Sequence, residues 1–139
     1  MSNRILGPLA AAVLLLAPSA WAQGADSAKE PVSDGRTLSE WVAELKSGTA
    51  PQTRNAAAYE ISGMGPAAAA AVPALIAALD DPEATVRFPV TVALGEIGPA
   101  AKAAVPKLKK MMDEEINDEI AAAAKRALRR IQPDAVSGQ

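Results

Sequence analysis

Residues 65–81 read Gly65-Pro66-Ala67-Ala68-Ala69-Ala70-Ala71-Val72-Pro73-Ala74-Leu75-Ile76-Ala77-Ala78-Leu79-Asp80-Asp81. Shifted by 33 positions, much of this stretch recurs as Gly98-Pro99-Ala100-Ala101, Ala104-Val105-Pro106 and Leu108. The same shift upstream sets Thr53-Arg54 on Val86-Arg87, Ile61 on Leu94 and Met64 on Ile97, and a shift of 34 then sets Val86 on Ile120, Leu94 on Leu128 and Ile97 on Ile131. The matched positions include Gly, Pro, Arg and branched aliphatics, so alanine richness does not explain the coincidence. A period of this length is the signature of stacked helical repeats.

Each unit predicts two helices. In the second, Val72, Leu75, Ile76 and Leu79 form one apolar stripe at spacings of three, four and seven, and Val86, Val90, Ala93, Leu94 and Ile97 form another. Pro73 lacks an N–H, so it either kinks its helix or marks the first turn of the main helix after a short turn from Pro66. Asp80-Asp81-Pro82-Glu83 predicts the start of the second helix, with a carboxylate cap and a proline in the first turn, and Gly98 predicts its end. Pro89 removes the bond to the Thr85 carbonyl and predicts a bend. The first unit pairs a helix at about 37–46, through Leu38, Trp41, Val42 and Leu45, with a second from Gln52 to Met64. The third uses Val105, Leu108, Met111 and Met112, then Ile116, Ile120, Ala123, Ala124, Leu128 and Ile131. The expected fold is all-α: a short α-solenoid of three hairpins, with units at about 37–65, 66–98 and 99–132.

Outside the repeats the chain reads differently. Arg4, the apolar run Ile5 to Ala17, Pro18 and Ala20-Trp21-Ala22 predict an export signal over residues 1–22, with cleavage before Gln23. The alternative, an uncleaved anchor, meets a run broken by Gly7 and Pro8 and shorter than the ~20 apolar residues a spanning helix needs. Residues 23–36 read as a flexible linker and 133–139 as a disordered tail, both poor in bulky apolar groups. Of the 139 residues 33 are Ala, so the 50% hydrophobic content supplies a thin core suited to closely stacked helices rather than to one thick interior.

The chain has no His and no Cys. That excludes Ser-His-Asp and Cys-His nucleophilic sites, His- or Cys-ligated zinc, and disulfides. The expectation is a protein with no catalytic, cofactor-binding or metal-binding residues and no enzymatic activity. A formal net charge of −2 argues against nucleic acid as partner. Asp113-Glu114-Glu115-Ile116-Asn117-Asp118-Glu119 lacks the glycine and ligand spacing of a calcium loop and reads as a helix cap. Once a leader is removed, no integral membrane segment is expected.

The stretch from Gly65-Pro66-Ala67-Ala68 through Ala71-Val72-Pro73-Ala74-Leu75-Ile76, Asp81-Pro82, Val86-Arg87 and Ala93-Leu94-Gly95-Glu96-Ile97-Gly98-Pro99 resembles the HEAT repeat, in the short bacterial variety named after phycobilisome lyases. The resemblance covers Thr37 to Ile131 and is densest over 65–108. It implies a scaffold for protein contacts, and it implies that the repeat's Arg, here Arg54 and Arg87, pairs with the Asp before the second helix. Asp81 supplies that acid in the second unit. Gly48 stands at its place in the first, and Ala121 stands where the third unit's Arg belongs, so a short ladder is expected.

In such a stack Arg87, Phe88 and Thr91 fall on the face that lines the concave surface, matched in the first unit by Arg54, Asn55 and Ala58, with Tyr59 nearby. Exposed aromatics beside arginines have the composition of a contact patch, so Arg54, Asn55, Tyr59, Arg87, Phe88 and Thr91 are the candidate protein-binding residues. The bland alternative makes the arginines ladder residues and Phe88 the cover of a kink. Lys107, Lys109, Lys110, Lys125, Arg126, Arg129 and Arg130 concentrate positive charge in the last hairpin, either to meet an anionic partner or to complete a polar cap on the terminal repeat. The functional expectation is an exported scaffold or adaptor whose partner is a protein. The alternatives are an accessory or lyase-like protein related to phycobilin lyases, and a peripheral binder of membrane surfaces through the C-terminal basic residues.

Overall fold

Pro73 and Pro106 carry no N–H, and the chain before each is shaped by that lack. An α-helix running through Pro73 would leave the Ala69 carbonyl without its donor four residues on. Instead the Val72 N–H takes that carbonyl in a tighter turn, and the Val105 N–H takes Lys102 O in the same way. The result is a 3-10 helix at Gly65–Ala71 and again at Gly98–Ala104, each opened by a glycine at positive φ (58° and 77°) and each with an alanine, Ala68 or Ala101, at φ −89°. The repeated Gly-Pro-Ala-Ala motif is thus one backbone conformation written twice, and of the two readings of Pro73 the structure takes the first-turn one.

The computed structural model describes residues 30–137. The expected leader at 1–22, residues 23–29 of the expected linker and the last two residues lie outside the described residues. Six α-helices form three hairpins: α1 (Leu38–Ser47) with α2 (Pro51–Met64), α3 (Val72–Ala78) with α4 (Ala84–Ile97), and α5 (Val105–Glu114) with α6 (Asp118–Ile131). The second helices pack side by side, with α4 between α2 and α6, and the first helices lie behind them. One core runs through the stack. Ile61, Leu75, Leu79, Leu94, Ile97, Leu108 and Leu128 are fully buried, interleaved with Ala57, Ala58, Ala68, Ala71, Ala93, Ala101, Ala104 and Ala124 at 0% exposure. The alanines are therefore packing surface, and they let the helices approach closely. The stretch Pro51–Ala78 is long and apolar enough to cross a membrane by composition. Gly65, at positive φ, interrupts it, and its halves belong to different hairpins.

Three parts depart from the sequence reading. Val32–Ser33 and Arg36–Thr37 pair as an antiparallel hairpin, β1 and β2, where a linker to residue 36 was expected. The turn is Asp34-Gly35, both at positive φ (48° and 75°), the mirror-image turn that suits the twist of two strands. The hairpin is tied down: Trp41 Nε1 donates to Ser33 O at 2.9 Å, Ser33 Oγ donates to Glu60 at 2.6 Å, and the Arg36 guanidinium lies 4.1 Å from the Trp41 ring centre. Thr37 then starts α1 with a capping box to Glu40. At the other end, within the tail expected over 133–139, Pro133–Ala135 forms a 3-10 turn and Ala135 and Val136 pack on the core. Ile116, assigned by spacing to the buried stripe, is 95% exposed in the connection between α5 and α6.

The start of α4 also differs from the expectation. Its first residue is Ala84, beyond Pro82, and Asp81 bonds the Glu83 N–H from outside the helix. In the last hairpin the cap of α6 is Asn117, whose Oδ1 accepts from the Glu119 and Ile120 N–H groups, with Asp118 and Glu119 in the first turn and Arg129 and Arg130 in the last. Those charges suit the helix dipole at both ends.

Candidate functional site

The six candidate contact residues separate into three groups once they are placed. Arg54 and Arg87 belong to a ladder. Arg54 donates from Nε and Nη2 to both carboxylate oxygens of Asp81 at 2.7 and 3.0 Å, and from Nη1 to the Gly48 and Thr49 carbonyls. Arg87 repeats the pattern one unit later, with Glu115 at 3.0 and 3.1 Å and with the Asp81 and Pro82 carbonyls. Each fork thus joins the loop of its own unit to the acid of the next. The expected partner of Arg87 within its own unit, the Asp81 carboxylate, is instead taken by Arg54, and Glu115 serves as the acid of the third unit. The positions where the pattern fails, Gly48 and Ala121, are those whose partners would lie outside the three hairpins.

These pairs are mostly shielded from water, with Asp81 8% and Glu115 12% exposed at the side chain. The bond from Arg54 holds the Asp81 carboxyl below the usual carboxylate range, against the opposing effect of burial and with help from the Glu83 N–H. The bond from Arg87 lowers Glu115 likewise, aided by the Asn117 N–H.

Thr91 is not a contact residue. It is fully buried, as is its counterpart Ala58, and its hydroxyl donates back to the Arg87 carbonyl at 2.8 Å. The expectation that Thr91 shares an open face with Arg87 and Phe88 is thus corrected: it lies one helical turn after Arg87 but within the buried side of α4.

Asn55, Tyr59 and Phe88 do come together. They border a groove of about 290 Å³ across the outer face of α2 and α4, closed by Thr85, Asn117 and Glu119 at the start of α4 and α6. Asn55 is fixed there by a specific need. Pro89 sits inside the unbroken helix α4 and leaves the Thr85 carbonyl without its i+4 donor, and Asn55 Nδ2 supplies the missing hydrogen bond at 2.5 Å. Tyr59 is 50% exposed, one of three large apolar side chains among the described residues that stay so open, with Val32 and Ile116. Phe88 is half-buried on the facing helix. Thr85, Asn117 and Glu119 were not legible as groove residues, because they are helix-start positions brought together only by the stacking of units.

The basic residues of the last hairpin also divide. Lys107 pairs with Asp80, Lys110 with Glu114, and Arg130 forks onto both oxygens of Glu96 at 2.8 and 3.0 Å. Among the described residues, Lys109, Lys125, Arg126 and Arg129 make no ion pair, and they project into solvent.

Compared with known protein families, the chain matches the family described as HEAT repeats over residues 38–129, about two thirds of its length. No curated protein and no solved structure gives a match.

Proposed function

The chain belongs to the HEAT repeat family, and from that premise we propose that it is an exported adaptor that binds a protein partner and carries out no chemistry of its own. HEAT repeats generally mediate contacts between proteins. The observation that carries the proposal is the groove lined by both Tyr59 of α2 and Phe88 of α4. Aromatic side chains at the centre of a firm surface are the usual source of binding energy in protein interfaces. Here the surface is held by the two arginine forks and by the Asn55 bond to α4. Export is supported by the leader pattern of residues 1–22, and absence of catalysis by a composition without His or Cys.

The test uses the protein from Gln23 onward as bait against extracytoplasmic extract. The expected result is a saturable protein partner whose capture weakens about thirtyfold in a Tyr59→Ala, Phe88→Ala variant, corresponding to roughly 2 kcal/mol at a hot spot. Capture that ignores both substitutions, or turnover of a substrate by the purified chain, overturns the reading.

A further inference from the structure

A second groove, of about 280 Å³, runs between α4 and α6 toward their C-terminal ends. Its floor is made by the smallest side chains in the stack. Gly95 lies so close to α6 that a Cβ added there would meet Ala127 Cα at 3.1 Å and Ala127 Cβ at 3.2 Å. With Ala123 and Ala127 opposite and Val92 as a wall, the seam between the helices is an open apolar trench. Its rim is arginine. Arg130 is already neutralised by Glu96, whereas Arg126 and Arg129 are exposed and without an acidic partner among the described residues. Three apart on one helix, they are neighbours at about 5–6 Å between Cβ atoms. The guanidinium fork favours planar, bidentate carboxylates.

We propose that this groove receives an acidic peptide segment of the partner, with one aliphatic side chain on the Gly95–Ala123–Ala127 floor and flanking carboxylates on Arg126 and Arg129. The proposal rests on the reading of the chain as a protein-binding module and names the chemistry of what it binds. Charge agrees, because Arg126 and Arg129, two of the four bases of the last hairpin without an ion pair among the described residues, border this trench, while Lys107 and Lys110 are each matched by an acid. A membrane surface fits less well. Such a surface favours bases beside an apolar side chain that inserts, yet the nearest large exposed aliphatic group on this hairpin, Ile116, precedes α6, whose rise of about 1.5 Å per residue sets its first residue roughly 17 Å from Arg129.

The experiment is fluorescence anisotropy with the protein from Gln23 onward and a short labelled peptide in which one leucine is flanked on each side by aspartates. Three controls accompany it: the peptide with serine for leucine, the peptide with asparagines for aspartates, and vesicles rich in phosphatidylglycerol. Saturable binding is expected, falling at least about tenfold in an Arg126→Glu, Arg129→Glu variant and at least about tenfold with either altered peptide. Both arginines are exposed, and an unchanged circular dichroism melt verifies that the variant is folded. Absence of binding, binding indifferent to charge reversal, or binding indifferent to the leucine overturns the proposal. Vesicle binding that depends on the two arginines, without peptide binding, assigns them to a lipid surface and also overturns it. If the charge-reversed variant captures the partner as tightly as the parent does and only Tyr59→Ala, Phe88→Ala weakens capture, the interaction reading stands while this one falls.

Discussion

Arg54 serves two loops at once: its Nη1 holds the carbonyls that end the first hairpin's turn, while Nε and Nη2 hold the acid of the next unit. A lysine offers one point charge on a flexible stem and cannot reproduce that divided geometry. Arg54→Lys is therefore expected to lower the thermal midpoint although charge is conserved. Ile116→Ser, at a side chain 95% exposed, is the matched control and is expected to stay within about 0.5 kcal/mol of the parent. A midpoint for Arg54→Lys equal to that of the control contradicts the account. The arginine positions were legible from the repeat alone. Their partners were not, because each fork reaches an acid 27 or 28 residues away in the next unit, and periodicity says which residues are equivalent without saying which ones touch. Thr91 and Ile116 fail for a related reason. Spacing along one helix gives a stripe, but its edges are set by neighbouring units and by where the helix starts.

At the scale of elements, α4 carries two features that ordinarily weaken a helix, Pro89 and Gly95, and each is matched by another element. Asn55 of α2 replaces the hydrogen bond that Pro89 withholds from Thr85. Asn55→Ala is accordingly expected to cost about 1 kcal/mol in the parent and distinctly less in a Pro89→Ala background, where the helix supplies its own donor. Additive effects in denaturant titrations would exclude the coupling. Gly95 lets α6 lie against α4, so Gly95→Ala sets a gain in helix propensity against overpacking on Ala127 backbone. Overpacking typically costs about 1–3 kcal/mol and the propensity gain is about 1, so net destabilisation is expected. Gly63→Ala, with nothing within 4 Å of the added Cβ, is expected to stabilise by up to about 1 kcal/mol. The orphan carbonyl at Pro89 could be read from the sequence, whereas its rescue by Asn55 could not. The β1–β2 hairpin was missed although Asp34-Gly35 is the dipeptide that marks such turns, because two-residue strands show no alternation to flank it.

Across the whole molecule, the Arg54 and Arg87 forks are the most shielded ion pairs between successive units, beside the more open Lys107–Asp80 and Arg130–Glu96 pairs, and they are set into an otherwise apolar, alanine-rich stack. In a repeat array stability is approximately a sum of unit terms and nearest-neighbour interface terms, so a change to the forks acts on the interfaces between units. Asp81 and Glu115 have carboxyls held below the usual range when folded and ordinary ones, near ~4, when unfolded. A depressed folded value means that the unfolded chain takes up protons first. The contribution is therefore fully present above the ordinary carboxylate range and is lost as pH falls through it toward the lowered folded values. Thermal midpoints are expected to be flat from neutrality down to about pH 5 and to drop below that. An Asp81→Asn, Glu115→Gln variant is expected to melt earlier at neutral pH, with roughly 1–2 kcal/mol lost per rung, and to show a shallower acid limb, since two of the groups that sense the protons are gone. Glu40, also held low by its capping bonds, remains. An acid limb of unchanged steepness in that variant places the sensitivity in other carboxylates and removes the forks from the account of how the units are coupled.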